Sequence, residues 1–529
     1  MKQMQNLCDC GRDKPVPPEM GESCKDTGGT RLSRPSFARF SWSALACAVA
    51  VSGCHTADLD LMAQYADGVA SGRTAAVCEA VVERADEVAQ SQLMWTLDAA
   101  SAKSFAGDIP ESNRLFDRAE DILEENDKTG TAYRGANQSV SVISDDFALD
   151  YDCGGTERMF CNVYKAQNYA AQGSRAAANA ELNRALVRQE GWLAVCRDRI
   201  AQEQAKIDAD VKTYVGEQKA FSGNFASVWA SAELGNNLYT AYGYDPRKDG
   251  RPTFLAERAF MNPYLCHLSG VLKRITMSTG GEAYLKDAAR LLPRHPVVTN
   301  DFAEAESGRY PQNQVWIYVE DGMCARPEAV KIPFPKDVIP LQTLYAPDAA
   351  FYLPRLTPQS ASGVDYSVAG GEFVPLLDVD ASLSADFRVR LNGIVAREVA
   401  KRVAQVGTEI AAGMIRDGAV GVAAYKQAKG KKKDAQTAAV VAAGSALVNL
   451  GMKAWNAATQ TVDVRCWSAL PQRVLVTRVA RPADGKVVVV AGAETLTVPV
   501  EEGNAIIWIR KPSQAAPAVV RTFSVRPIL

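Results

Sequence analysis

Two glycines 66 positions apart sit in the same local pattern. Ser112, Phe116 and Ala119 follow Gly107 at offsets of 5, 9 and 12, and Ala178, Leu182 and Ala185 follow Gly173 at the same offsets. Small residues also precede each glycine: Ala99 and Ala100 in the first case, and Ala166, with Tyr169 after it, in the second. A glycine reaches positive φ without steric cost, so it suits the tight turn between two helices. Small residues on both arms let the helices approach, and the large apolar residue at the ninth position fills the groove between them. The spacing therefore predicts helix–turn–helix units, with Gly107, Phe116, Ala119, Gly173, Leu182 and Ala185 as turn and packing residues. Gly280-Gly281 reads as a further helix-pair turn, and a degenerate third unit ends at Ala283-Tyr284, Ala288-Ala289 and Pro293. Residues 57–90 read as helix on Val77, Val81, Val82, Ala85 and Val88, and 187–213 as a long polar helix carrying Trp192 and Val195. Thr129–Gly155 is rich in Asp, Ser and Gly and poor in helix signals.

These offsets resemble the tetratricopeptide repeat (TPR), a helical pair of about 34 residues whose stacked copies form a concave surface for peptides or partner proteins.

Beyond residue 300 the period changes. Val315–Val319, Val330–Pro335 and Phe373–Val379 read as strands, as does Leu344–Leu356 despite Pro347 and Pro354. From Leu391 to Tyr425 the residues Val395, Val399, Val403, Val406, Ile410 and Met414 recur every three or four positions, which is the period of an amphipathic helix. Arg397, Glu398, Lys401, Arg402 and Glu409 lie off that stripe. A lysine turn (Lys429, Lys431, Lys432, Lys433) leads into Ala435–Met452, which has no charge. Its Ala-dominated composition, with Gln436 and Asn449, favours a buried partner helix over a membrane span. The end of the chain reads as β: Val462–Trp467, Arg473–Ala480, Lys486–Val490, Glu494–Val500 and Ala505–Arg510, with Asp484-Gly485 and Glu502-Gly503 at hairpin turns. Trp467 and Trp508 read as core. The fold class expected is α+β: a TPR-like helical domain over 54–300, a β-rich segment over 301–390, an Ala/Gly-rich helical hairpin over 391–460 and a β-hairpin region over 461–529.

The amino terminus carries an address. Arg31, Arg34 and Arg39 precede the apolar stretch Phe40–Val51, which closes on Val51-Ser52-Gly53-Cys54. A cationic patch, a short apolar run and small residues at a cut site make a secretory signal, and the run is too short to span a bilayer. The last four residues resemble the lipobox of bacterial lipoproteins, with Val51 in place of the commoner Leu. That resemblance implies cleavage between Gly53 and Cys54, a diacylglycerol on the Cys54 sulfur and an acyl chain on its new amine. No other cofactor is expected. His55, where an Asp tends to retain such proteins in the inner membrane, implies the periplasmic face of the outer membrane. Residues 1–53 are then leader and signal, with Met20 as an alternative start.

With 59 basic and 61 acidic residues, the chain has no electrostatic footprint for nucleic acid. Seven cysteines follow Cys54; Cys153–Cys161 is the most local candidate pair, with buried thiols as the alternative. No CxxC, no Cys/His cluster and no nucleophile, zincin or phosphate-loop motif is present, so neither a metal site nor an enzyme is expected. His267 and His295 read as isolated structural residues. Asp145-Asp146 and Asp378/Asp380 could serve a glycan hydrolase, which needs two carboxylates, but read more readily as turn and strand-end residues.

The lipobox, the Gly107-Asp108 and Tyr169–Gly173 repeats, Val319-Glu320-Asp321-Gly322 with Pro327 and Ile332-Pro333, and the closing Asp463-Val464-Arg465-Cys466-Trp467-Ser468-Ala469-Leu470-Pro471 together resemble a family of TPR-containing bacterial lipoproteins of unknown function, over roughly residues 54–512. Cys466 departs from the family pattern. Members of that family are often found beside lipoprotein activators of penicillin-binding proteins, which implies a role near peptidoglycan synthesis. The expected function is a non-catalytic adaptor or scaffold, lipid-anchored to the membrane, that recruits an envelope protein through its helical-repeat surface. The alternatives are a peptidoglycan hydrolase or a structural, membrane-contacting oligomer.

Overall fold

The computed structural model describes residues 58–87, 90–129, 150–151, 153–192, 219–249, 261–336, 338–429, 436 and 462–526. Cys54 and Gly53, the Asp145-Asp146 pair, Cys196 and nearly all of the Ala435–Met452 segment lie outside them. The fold is mixed α+β, with helices first and sheets later.

The helical part is built from hairpins. Helices α1 (58–71) and α2 (Thr74–Glu87) turn at Gly72, α3 (Gln92–Phe105) and α4 (Ile109–Thr129) at Gly107, and α5 (Gly155–Ala171) and α6 (175–192) at Gly173. All three glycines have positive φ, 73°, 83° and 78°, which a Cβ would oppose. After α7 (Lys219–Ala230) and α8 (Ala232–Tyr242), a further hairpin of α9 (Pro263–Ile275) and α10 (Gly281–Leu291) turns at Gly280, and α11 (Pro296–Glu306) follows. Within this hairpin Gly270 packs so closely that an added Cβ would stand 2.6 Å from the Leu285 side chain.

The central sheet has five strands in the order β10-β9-β1-β6-β5: β10 (Val519–Val525), β9 (Asn504–Lys511), β1 (Gln314–Asp321), β6 (Arg473–Ala480) and β5 (Val374–Asp378). β1 runs parallel to β9 and antiparallel to β6. A second sheet, β4 (Tyr366–Val368), β7 (Lys486–Ala491) and β8 (Glu494–Pro499), lies on one face of the first, and β2 (Arg326–Pro333) pairs with β3 (Ala350–Thr357) on its own. Side chains alternate across a strand, so Trp316 and Tyr318 of β1 enter the helical core while Val315, Ile317 and Val319 pack against Val487, Val489 and Val498 of the second sheet. The result is three layers: helices, five strands, three strands.

One apolar core runs from Met62 in α1 to Val525 in β10 and includes Trp467 and Trp508. The line drawn at residue 300 from sequence is therefore not a boundary in packing. The long helix α12 (Val379–Ala428) begins twelve residues before Leu391, because the Asp378 carboxylate accepts the Ala381 N–H at 2.9 Å and caps it there. At 50 residues it is about 75 Å long. Its stripe Val395, Val399, Val403, Val406 and Ile410 is buried against Phe225 and Val228 of α7 and Phe351 and Leu353 of β3. Glu398, Lys401, Arg402 and Glu409 are buried as well, with Lys401 on Glu398 at 3.3 Å and Arg402 on Glu409 at 3.0 Å.

Two strand expectations and two turn expectations are corrected: Asp484-Gly485 and Glu502-Gly503 are not hairpin turns, because β6 and β7, like β8 and β9, belong to different sheets and the chain crosses between them there. Val462–Trp467 is not a strand: the Asp463 carboxylate binds both the backbone N–H and the guanidinium of Arg465, at 3.0 and 2.8 Å, and curls the segment inward. β3 starts at Ala350 because Gln342–Tyr345 forms a single helical turn. β10 was not foreseen at all. Of the expected pair Cys153–Cys161, the structure bears out the alternative of buried thiols: Cys161 is a free, buried thiol two turns into α5.

Candidate functional site

An open cleft of about 570 Å³ lies between α4 and α6. Its walls have opposite charge. Asp117, Glu120, Asp121 and Glu124 line the α4 side; Arg184, Val187 and Arg188 line the α6 side. Val187 is 67% exposed, an apolar side chain standing in the cleft between two arginines.

Lys165 of α5 joins the two walls. Lys165 is almost fully buried, with its ammonium 2.7 Å from Asp117 and 3.2 Å from Glu181 and in contact with Glu120. Asn162 donates to Glu120 at 2.8 Å and to Glu181 at 2.7 Å. Arg188 closes on Glu120 at 2.9 Å, and Arg184 on Glu181 at 2.5 Å. Burial alone would lower the Lys165 pKa, but hydrogen bonds to Asp117 and Glu120 and the charge of Glu181 outweigh it and hold it well above the ordinary value. Burial would likewise raise Glu120, but Lys165, Arg188 and Asn162 hold it low. Three acids and three bases thus meet here, and they join the second helices of the two hairpins through the helix between them.

The pattern residues lie behind this cleft. Phe116, Ala119, Leu182 and Ala185 are buried, and Phe116 packs against Tyr164 and Trp467 at ring distances of 6.3 and 6.1 Å. Ser112 donates to the Ala100 carbonyl at 2.8 Å, which ties α4 to α3. Gly107 and Gly173 sit in the turns, with open space where a Cβ would stand.

The other sequence candidates have structural duties. Asp378 caps α12, and Asp380 accepts from the Ala325 N–H at 2.6 Å and from Gln472 at 3.3 Å. His267 is not isolated: it sits between Asp301, at 2.8 Å, and the Tyr318 hydroxyl, at 3.0 Å. Asp301 also accepts from Trp316 Nε1 at 2.8 Å and pairs with Arg478 at 2.5 Å, so one buried carboxylate joins α9, α11, β1 and β6. His295 caps α11, its Nδ1 accepting the Val298 N–H at 3.3 Å.

Sequence reasoning missed the Lys165 cluster. Lys165, Glu120 and Glu181 are scattered charges in three separate helices, and only the hairpin offsets could have brought them together: Glu120 and Glu181 both follow turn glycines by a few helical turns. Among the described residues no group of His, Cys, Asp or Glu is placed to hold a metal ion, and no helix is long and apolar enough to cross a membrane. Comparison with known protein families, with curated proteins and with solved structures finds no match.

Proposed function

We propose that this chain is a non-catalytic adaptor of the bacterial cell envelope, anchored by lipid at Cys54 and binding a partner protein through the cleft between α4 and α6. The observation that carries the reading is the cleft itself, with walls of opposite charge held together by the buried Lys165 and one exposed apolar side chain, Val187. Such a recess suits an extended segment that places an apolar side chain on Val187 and charges of both signs on the walls. The matched offsets around Gly107 and Gly173, and the hairpins that turn there, support a TPR-type surface. The Val51–Cys54 box supports export and anchoring, and the resemblance to the lipoprotein family supports an outer-membrane position and a role in peptidoglycan synthesis or envelope assembly.

The test is affinity capture from detergent-solubilised envelope with the mature lipidated chain and with Arg184→Glu/Val187→Asp. Both substituted residues are exposed, so the fold should persist by circular dichroism. A partner retained by the wild type and lost with the double variant supports the reading; equal capture by both removes the cleft from it.

A further inference from the structure

The turn after β1 and the segment entering β6 lie side by side. The Cys324 N–H donates to the Leu470 carbonyl at 3.0 Å, and the Gln472 N–H donates to the Asp321 carbonyl at 2.9 Å. Between these two fixed points, the Cys324 thiol rests on the carbonyl of Trp467 at 3.8 Å, one residue from Cys466. The two sulfurs share an environment. Burial pushes the Cys324 thiol up, and the neighbouring Cys466 pushes it further. Burial pushes Cys466 up to about 12 while Arg326 pulls the other way, and Arg326 and Glu157 act on both thiols. Both are free thiols in this structure, as are Cys161 and Cys266, but those two are each buried inside a separate helix, away from this junction.

We propose that Cys324 and Cys466 are joined by a disulfide in the exported protein. The inference rests on the proposed export, since only an oxidising compartment keeps such a bond. Each thiol gives up its proton, the two sulfurs bond, and the two electrons reduce a disulfide donor of the envelope to two thiols. Thiolates carry out that exchange, and burial keeps both groups protonated at neutral pH. The bond is therefore made while the chain folds and is closed to exchange afterwards. It ties the turn after β1 to the segment that carries Trp467 into the helical core, across the chain that holds the whole of α12.

The test uses the full mature chain, refolded in a glutathione/glutathione-disulfide buffer and, separately, purified from envelope. After denaturation, alkylation and digestion, one peptide pair linking Cys324 to Cys466, lighter than the two thiol peptides by two hydrogens, is expected in both samples. Reductant should lower the thermal midpoint of the wild type and leave that of Cys466→Ser unchanged. Alkylation of both residues in the refolded protein, or pairing of Cys466 with Cys153, overturns the inference. A bridge in the refolded sample with free thiols in the cell-derived one leaves the pairing standing and rejects the export reading, so the two failures are distinguishable.

Discussion

The indole Nε1 of Trp467 donates to the Ser101 hydroxyl at 2.9 Å and joins two residues that lie 366 positions apart. Trp467 belongs to a segment without regular secondary structure, yet its ring is fully buried in the helical core, edge-on to Tyr164 at 5.6 Å and to Phe116 at 6.1 Å. Two residues earlier, the Arg465 guanidinium donates to the Gln90 carbonyl at 3.0 Å and to the Ser91 hydroxyl at 3.3 Å, at the start of α3. Through these contacts the end of the chain holds the first helical hairpins to the sheet.

Replacing this ring should therefore destabilise both halves together. Trp467→Ala should cost about 3–5 kcal/mol, the range for a large aromatic removed from a core. Trp467→Phe should cost about 1–2 kcal/mol, chiefly for the lost hydrogen bond to Ser101. Urea unfolding followed by far-ultraviolet circular dichroism would measure both, and a single shifted transition is expected. Separate transitions for helices and sheet would contradict the shared core.

The hairpin turns make a graded prediction. At Gly107 an added Cβ meets nothing within 4 Å, so Gly107→Ala should cost only the left-handed backbone, about 1–2 kcal/mol. At Gly270 the φ is ordinary but the Cβ would stand 2.6 Å from Leu285 and 2.9 Å from the Gly281 carbonyl. Gly270→Ala should therefore be the worse substitution, since α9 and α10 would have to separate. Thermal denaturation of the two variants ranks them.

Lys165 joins the two walls of the cleft. Lys165→Met should lower stability by about 3 kcal/mol, at the low end for a broken buried pair because Arg188 and Arg184 still face Glu120 and Glu181. The acid limb should respond too. Glu120 is held below its ordinary 4.5 in the folded chain, so its contribution is complete above about pH 4.5 and is lost as pH falls through the lower folded value. The wild type should lose stability over that window, and the variant should lose less. Thermal midpoints from pH 7 to pH 3 would show the difference.

His295 gives a second window, nearer neutrality. Burial, then the nearby His267, lowers its pKa below 6.5, so the folded state favours the neutral ring that accepts the Val298 N–H. Its stabilising share is full above about pH 6.5 and declines as pH falls through the folded value. His295→Asn keeps a capping acceptor without a titrating ring. The wild type should lose more thermal stability between pH 7.5 and 5.5 than this variant; equal losses would exclude His295 as the cause.

Much of the architecture was legible in the sequence because it follows local periodicity. The glycine offsets placed the turns at Gly107 and Gly173, and runs of strand-forming residues placed β1, β5, β6, β7 and β9 to within a residue or two. What was not legible depends on distant partners. Val462–Trp467 has strand-like residues, but the Arg465 N–H goes to the Asp463 carboxylate and the Trp467 N–H to the distant Glu157 carboxylate, not to a neighbouring strand. The charges beside the α12 stripe look solvated in sequence, whereas Lys401 and Arg402 are buried on Glu398 and Glu409. His267 looked isolated because Asp301, Tyr318 and Arg478 come from three other elements. The Lys165 cluster was hidden for the same reason: a buried lysine is recognisable only with its carboxylates in view.

The account stands or falls on a tethered chain offering its cleft to a partner. The most direct measurement is in-cell photo-crosslinking from a photoreactive residue at position 187, compared with one at exposed Asp484 in the turn between β6 and β7, each in the Cys54 chain and in Cys54→Ser. The account predicts a discrete envelope-protein adduct from position 187, none from 484, and loss of that adduct together with membrane fractionation in Cys54→Ser. The same adduct from both positions, or an undiminished one without the Cys54 sulfur, would contradict it.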